Sequence, residues 1–397
     1  MKVIDYVEIE GRSVGYWVLL LILGVFVLAG LGASYYMEHN GHWVTGMSNQ
    51  VVWGAPHVFA VFLIVAASGA LNVASIASVF QKEDYKPLSR LSGVLAVVLL
   101  IGGLSVLVLD LGRPDRLIVA MTTYNFKSIF AWNIFLYVGF IAIVTIYLWV
   151  MMERSMNQYS RSVGIVAFVW RLLLTTGTGS IFGFLVARQA FDAAIMGPMF
   201  VAMSFSYGLA FFILVLMWVY RMSGWSLGDA ILMRLKNLLG VFVLTVLYFT
   251  LVYHVANLYA AEHHGVESFI LAGGGIYSYV FWGGVVLLGS VFPVFIFYMP
   301  LTGRSRQWLA MGSMLVVLGG FSQMIVIIIG GQAFPLVVFP GKSVTDSVFF
   351  DGVIASYAPS FPELTLGVSG LAIGLFLLAV ALKVFRFLPS SLADNEE

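Results

Sequence analysis

Runs of about twenty apolar residues recur along the whole chain with short polar connections between them, and each run is long enough to cross the hydrocarbon core of a bilayer as a helix. Ten such spans are predicted, at 16–36, 52–80, 91–109, 129–152, 163–187, 199–220, 238–261, 276–298, 308–331 and 363–384. No long polar stretch divides them, so residues 1–397 are expected to form a single polytopic membrane domain. The expected fold is all-α, two four-helix bundles plus flanking helices. Between spans six and seven, Ser226 to Leu239 alternates polar and apolar residues at helical spacing and carries Arg234 and Lys236, which predicts a helix lying on the membrane surface.

Composition agrees with that reading. Hydrophobic residues make up 61% of the chain and charged residues only 10%, with a mean hydropathy of +0.98, whereas a soluble domain is roughly a quarter charged. The net charge of +1 provides no excess for a polyanion, so nucleic acid is not an expected partner. With no cysteine, the sequence supplies neither disulfides nor thiolates for zinc or an iron–sulfur cluster, and no metal site is expected. Walker, HExxH and GxSxG patterns are absent, which removes the usual support for ATP-driven transport and soluble-type hydrolysis. The first apolar run is longer than a signal-peptide core and follows Asp5, Glu8 and Glu10, so cleavage is not expected.

Basic loop residues set the orientation. Only Arg113, Arg116, Lys127, Arg188 and Lys342 fall on one side, against fourteen on the side of the termini. Both termini are therefore expected in the cytoplasm, and in a bacterium the opposite side would be the periplasm, with the chain multi-pass in the inner membrane. All six histidines fall toward that outer side. His57 and His254 lie inside spans, about 8 to 11 Å below the surface at the helical rise, where they could face one site. Ionisable groups at such depth are costly and tend to mark sites or paths. Arg171 in span five, Asp110 and Glu262 at outer helix ends, Asp192 in a short outer loop and Glu363 at the start of span ten complete that set. Arg171, Asp192 and Glu363 could belong to a proton path, although snorkelling, pairing or solvation explains such residues equally well. The third loop, LDLGRPDR from Leu109 to Arg116, breaks the charge trend. Pro114 and Gly112 turn the chain there, leaving Asp110, Arg113, Asp115 and Arg116 as a compact charged cap, either a structural clamp or a docking point for an extrinsic subunit. Small residues at four-residue spacing, as in Ala70, Ala74 and Ser78 or Gly179 and Gly183, predict close helix packing.

Three segments together resemble a known family: WGAPHVFAVFLIVAASGALNVASIASVF (Trp53 to Phe80), LDLGRPDRLIVAMTTYNFKSIFAWN (Leu109 to Asn133) and TTGTGSIFGFLVARQAFDAAIMGP (Thr175 to Pro198). They are similar to the NrfD/PsrC-type quinone-interacting membrane subunits, and YAPSFPELTLG (Tyr357 to Gly367) resembles the start of the last helix in the longer members, the DsrP type of the DsrMKJOP complexes of dissimilatory sulfur metabolism. The resemblance implies a subunit with no cofactor of its own that exchanges electrons between the quinone pool, menaquinone or ubiquinone, and a periplasmic iron–sulfur subunit of the DsrO kind. A DsrJ-like multihaem cytochrome and DsrM- and DsrK-like subunits would complete the complex. His57 matches the family histidine that contacts the quinone, with Trp53 and Gly54 beside it, while a family tyrosine on the fifth span falls at Ile181 here. In this picture His57 takes a proton, His254 or Glu262 receives the second, Asp110 aids release, and an acceptor docks over Arg113, Asp115 and Arg116. The residues alone leave two rivals open. One is a haem-b protein with His57 and His254 as axial ligands; the other is an ion or solute transporter using Arg171, Asp192 and Glu363.

Overall fold

The computed structural model describes residues 4–336 and 353–394; Lys2 and Lys342, both counted in the orientation above, lie outside them. Ten long helices carry the expected spans: α1 (Val14–Asn40), α2 (Ala55–Ser78), α3 (Glu83–Leu109), α4 (Ile129–Met152), α5 (Asn157–Gly183), α6 (Met196–Ser223), α7 (Asp229–Tyr259), α8 (Ile276–Tyr298), α9 (Arg306–Ala333) and α10 (Phe361–Val384). Lipid offers no partner for backbone N–H and C=O groups, so apolar segments of this length close all their hydrogen bonds as helices. Successive helices alternate in direction, and the ends nearest His57 gather the close of α1, α3, α5, α7 and α9 and the start of the others.

Helices α2 to α5 pack around one another, α6 to α9 do the same, and α6 lies against both α2 and α5. Helix α10 lies on α2 and α3, with α1 outside it. Small residues allow the closest crossings. A Cβ on Gly179 would stand 2.6 Å from the Met196 carbonyl oxygen, and one on Gly183 2.8 Å from that of Ala193, so the α5–α6 contact depends on glycine.

The surface helix expected over Ser226 to Leu239 does not form as a separate element. Helix α7 starts at Asp229 and runs unbroken for 31 residues, about 46 Å and longer than the hydrocarbon core is thick. Its first turns are internal: Leu232, Leu235 and Leu239 are buried, and Lys236 Nζ donates to the Gly303 carbonyl at 2.7 Å. The amphipathic alternation seen in the sequence thus serves helix packing. At this same end β1 (Tyr6–Val7) pairs antiparallel with β2 (Leu388–Pro389), and Asp394 accepts from the Asp229 and Ala230 N–H groups at the start of α7.

Candidate functional site

Helix α2 begins where the chain must turn into the membrane, and its start is held from both sides. Gln332, fully buried at the end of α9, accepts from the Val52 and Trp53 N–H groups at 3.0 Å each and donates back to the Trp53 carbonyl at 3.0 Å. Gly54 is the N-cap and Pro56 lies in the first turn, where its missing N–H costs nothing. A Cβ at Gly54 would come 2.5 Å from Glu363 Oε1 and 2.6 Å from the Tyr357 hydroxyl oxygen, so only glycine admits these two side chains. The Tyr357 hydroxyl accepts from Ala55 N–H at 2.6 Å and donates to Glu363 Oε1 at 2.7 Å. Glu363 Oε2 also accepts from Gly46 and Ser360 N–H, both at 2.7 Å. Glu363 is thereby a fully satisfied carboxylate at the start of α10, where the helix dipole also favours it.

This framework places His57 one turn into α2. Its Nδ1 stands 3.2 Å from Asp110 Oδ2, and the Asp110 side chain, at the end of α3, is only 2% exposed. The ring N–H is not aligned on the oxygen, and His57 Nδ1 and both Asp110 carboxylate oxygens have no hydrogen-bond partner among the described residues. Burial, and after it the charge of Glu363, pushes Asp110 up to about 7. On the far side of the carboxylate, His42 Nε2 lies 3.8 Å from Oδ1 and 3.0 Å from the Asp110 carbonyl oxygen.

Trp53 stands beside His57 within a cluster of aromatic rings. Its ring is 6.4 Å from the His57 ring, stacks on Phe191 at 6.2 Å and meets Phe182 and Phe130 edge-on. Phe130, at the start of α4, is exposed, so the aromatic wall continues to the side of the bundle.

His254 has a different carboxylate partner. It lies on α7 with Nδ1 2.7 Å from Glu267 Oε2, while Asn257 Nδ2 donates to Glu267 Oε1 at 2.9 Å. The two groups border a cavity of about 30 Å³, large enough to admit water, whose other walls include Tyr253, Thr250 and Gln323. Wide-turn stretches in α8 and α9 contribute Phe281, Val285, Val326 and Ile327 to it, as such turns do at many functional sites. Ala190 and Gly331 line the cavity, whereas their neighbours Phe191 and Gln332 pack on and hold Trp53. His254 lines this cavity and His57 does not.

Several expected groupings separate. Glu262 is exposed and stands 3.9 Å from His263, so Glu267 is the carboxylate that meets His254. The charged cap splits, with Asp110 turned inward and Arg113 gripping Asp115 in a two-point pair at 3.0 and 2.9 Å on the surface beside exposed Arg116. Arg171 is buried between Phe168 and Phe205, with Nη1 donating to the Ser68 carbonyl at 3.3 Å, Asp192 is exposed, and Glu363 is enclosed in the knot above. No contact among the described residues joins these three into a path. Sequence reasoning passed over His42, Tyr357, Gln332 and Glu267. Of these, only Glu267, set between apolar neighbours in VESFIL, carried a local signal.

Among the described residues no three His, Asp or Glu side chains gather to hold a metal. The molecule is therefore defined by ten membrane-crossing helices and a buried carboxylate between two imidazoles at one end of the bundle. A family model described as polysulphide reductase, NrfD, matches residues 43–336, and the chain belongs to this family. It is 29% identical to the Hdr-like menaquinol oxidoreductase integral membrane subunit of Archaeoglobus fulgidus over 99% of this chain and 98% of that one. It is 25% identical to a polysulfide reductase chain of Wolinella succinogenes over 72% of this chain and 96% of the relative, and 21% identical to a selenate reductase subunit of Mesobacillus selenatarsenatis over 91% and 92%. It is a membrane subunit of the kind found in multi-subunit oxidoreductase complexes.

Proposed function

We propose that the chain is the quinone-exchanging subunit of a membrane redox complex and that the pocket beside His57 takes a menaquinol-class headgroup. The observation that carries this reading is the His57–Asp110 pair beside a cluster of aromatic rings that continues to the exposed Phe130 at the side of the bundle, where a lipid-borne carrier arrives. The name of the Archaeoglobus fulgidus relative, alike over nearly its full length, supports menaquinol as the class. With Nδ1 turned to Asp110, the ring presents Nε2 to a quinol hydroxyl, hydrogen-bonding it and accepting its proton as the two electrons leave. Trp53 supplies a flat apolar surface for the headgroup, and Gly54 keeps the Tyr357–Glu363 knot tight behind it. The redox chemistry is the quinone's, and the protein orients it and handles its protons.

In the finer form of the proposal, both termini are cytoplasmic, the His57 end faces the periplasm of a bacterial inner membrane, and the electron acceptor is an extrinsic DsrO-like iron–sulfur subunit with a DsrJ-like multihaem cytochrome and DsrM- and DsrK-like subunits alongside. The excess of Lys and Arg on the side of the termini supports this orientation, and the likeness of the LGRPDR and YAPSFPELTLG segments to DsrP-type chains supports these partners. The test is His57→Ala in the intact complex. Quinol-driven reduction of the partner centres is expected to fall about 100-fold or more while the subunits still co-purify; turnover at the normal rate would remove His57 from the site.

A further inference from the structure

We infer that protons released at His57 leave the protein through Asp110 and then His42, which makes His42 the outlet of the site; this rests on the quinone reading above. The argument starts from two buried carboxylates that lie close together and are treated in opposite ways. Glu363 receives three donors and is saturated. Asp110 receives none that is aligned, although its side chain is 2% exposed. A buried carboxyl without an aligned donor is costly and calls for an explanation, and in the same region where Glu363 is saturated Asp110 is left with an imidazole on each side.

The two oxygens of Asp110 face different rings: Oδ2 is 3.2 Å from His57 Nδ1, and Oδ1 is 3.8 Å from His42 Nε2. His42 belongs to the loop after α1, its side chain is 35% exposed, and its ring is steered by the contact of Nε2 with the Asp110 carbonyl at 3.0 Å. Once it carries a proton on Nε2, His42 donates to that carbonyl, which holds the ring in place while it passes a proton on. The groups that face this relay are His57 from α2, Glu363 from α10 and Tyr357 from the segment leading into it. With Asp110 titrating at about 7, taking up a proton and giving it away are both accessible near neutral pH.

For each quinol two O–H bonds break, two electrons pass to one-electron acceptors of the iron–sulfur or haem class in an extrinsic subunit, and two protons traverse the relay in turn. Each goes to His57 Nε2 while the Nδ1 proton moves to Asp110 Oδ2; the neutral carboxyl then turns about its Cβ–Cγ bond to hand that proton to His42 Nε2, 3.8 Å from the nearer oxygen, His42 Nδ1–H releases one to the aqueous side, and both imidazoles return to the Nδ1–H tautomer before the second proton follows. His42 acts on protons alone and leaves headgroup binding to His57 and Trp53.

The experiment uses the intact complex in membrane vesicles with a short-chain menaquinol as donor and reduction of the partner centres as readout. His42→Gln is expected to lower kcat about tenfold or more with KM nearly unchanged, to enlarge the solvent deuterium isotope effect, and to regain turnover when imidazole is added to the outer solution. Unchanged kcat and isotope effect in His42→Gln would overturn the outlet, as would a loss that imidazole does not restore and that comes with a raised KM, since this marks a merely structural side chain. His57→Ala run in parallel separates the two claims: if it turns over normally the quinone reading fails, whereas a silent His42→Gln beside an inactive His57→Ala sinks the outlet alone.

Discussion

In the proposed function Asp110 is the residue on which the chemistry turns, and its raised pKa makes a prediction of its own. The carboxyl is raised from the ordinary carboxylate range to about 7, first by burial and then by Glu363. A base must be ionised to accept a proton, so quinol oxidation is expected to climb with pH through about 7 and level off above it. Asp110→Asn should lie lower and lose that limb, leaving a flat profile from about pH 6 to about pH 8; a wild-type-shaped profile in the Asn variant would take Asp110 out of the proton route. Stability runs the other way. A carboxyl whose folded pKa is raised favours the fold in its neutral form, and that contribution is lost as pH rises from about 4 to about 7. In thermal unfolding of the purified complex, Asp110→Asn should therefore be at least as stable as wild type at about pH 8, with its advantage shrinking toward about pH 5.

The start of α2 determines where His57 points, and a single side chain from α9 holds it. Replacing Gln332 with Leu strips the Val52 and Trp53 N–H groups of their acceptor, at about 0.5–1.5 kcal/mol for each part-buried hydrogen bond lost. The expected result is a lowered midpoint in thermal unfolding together with weaker quinol binding, because Trp53 loosens with the knot. Unaltered stability would show that these donors find other partners. The helices themselves were legible in the sequence, since about twenty apolar residues in lipid have one solution, and Asp110 was legible as a charge too deep to be accidental. The interior of the site was not. Gln332 and Tyr357 act through residues far away along the sequence, at the other end of the chain from the start of α2, contacts that no local pattern carries. Glu267 was passed over because it sits in a connection taken as aqueous, although that connection turns back and buries it. The start of α7 misled for the related reason that an amphipathic stripe reads alike whether it lies on a membrane or against another helix.

Across the molecule, the proposed proton relay and the surface charges meet in one short segment. Asp110 closes α3 facing inward, and within six residues the chain exposes the Arg113–Asp115 pair and Arg116. The sequence has no cysteine with which to hold an iron–sulfur cluster of its own, so in the proposed function electrons from the His57 site leave for an extrinsic subunit, and these exposed charges follow Asp110 directly along the chain. Solvated pairs of this kind add little to the stability of the protein that bears them, yet complementary charge at an interface rim steers association and sets its salt dependence. Arg113→Ala combined with Arg116→Ala is thus expected to leave folding and bound-quinol affinity as they are while the extrinsic subunit dissociates at a lower salt concentration than from wild type, with about a tenfold loss of affinity at physiological ionic strength. Co-purification across a salt series checks this. Because the Arg113–Asp115 pair is already satisfied within the loop, Arg116 should account for most of the effect when the two are replaced singly, and an extrinsic subunit that stays stoichiometric at every salt concentration in the double variant would move the docking surface elsewhere on this face.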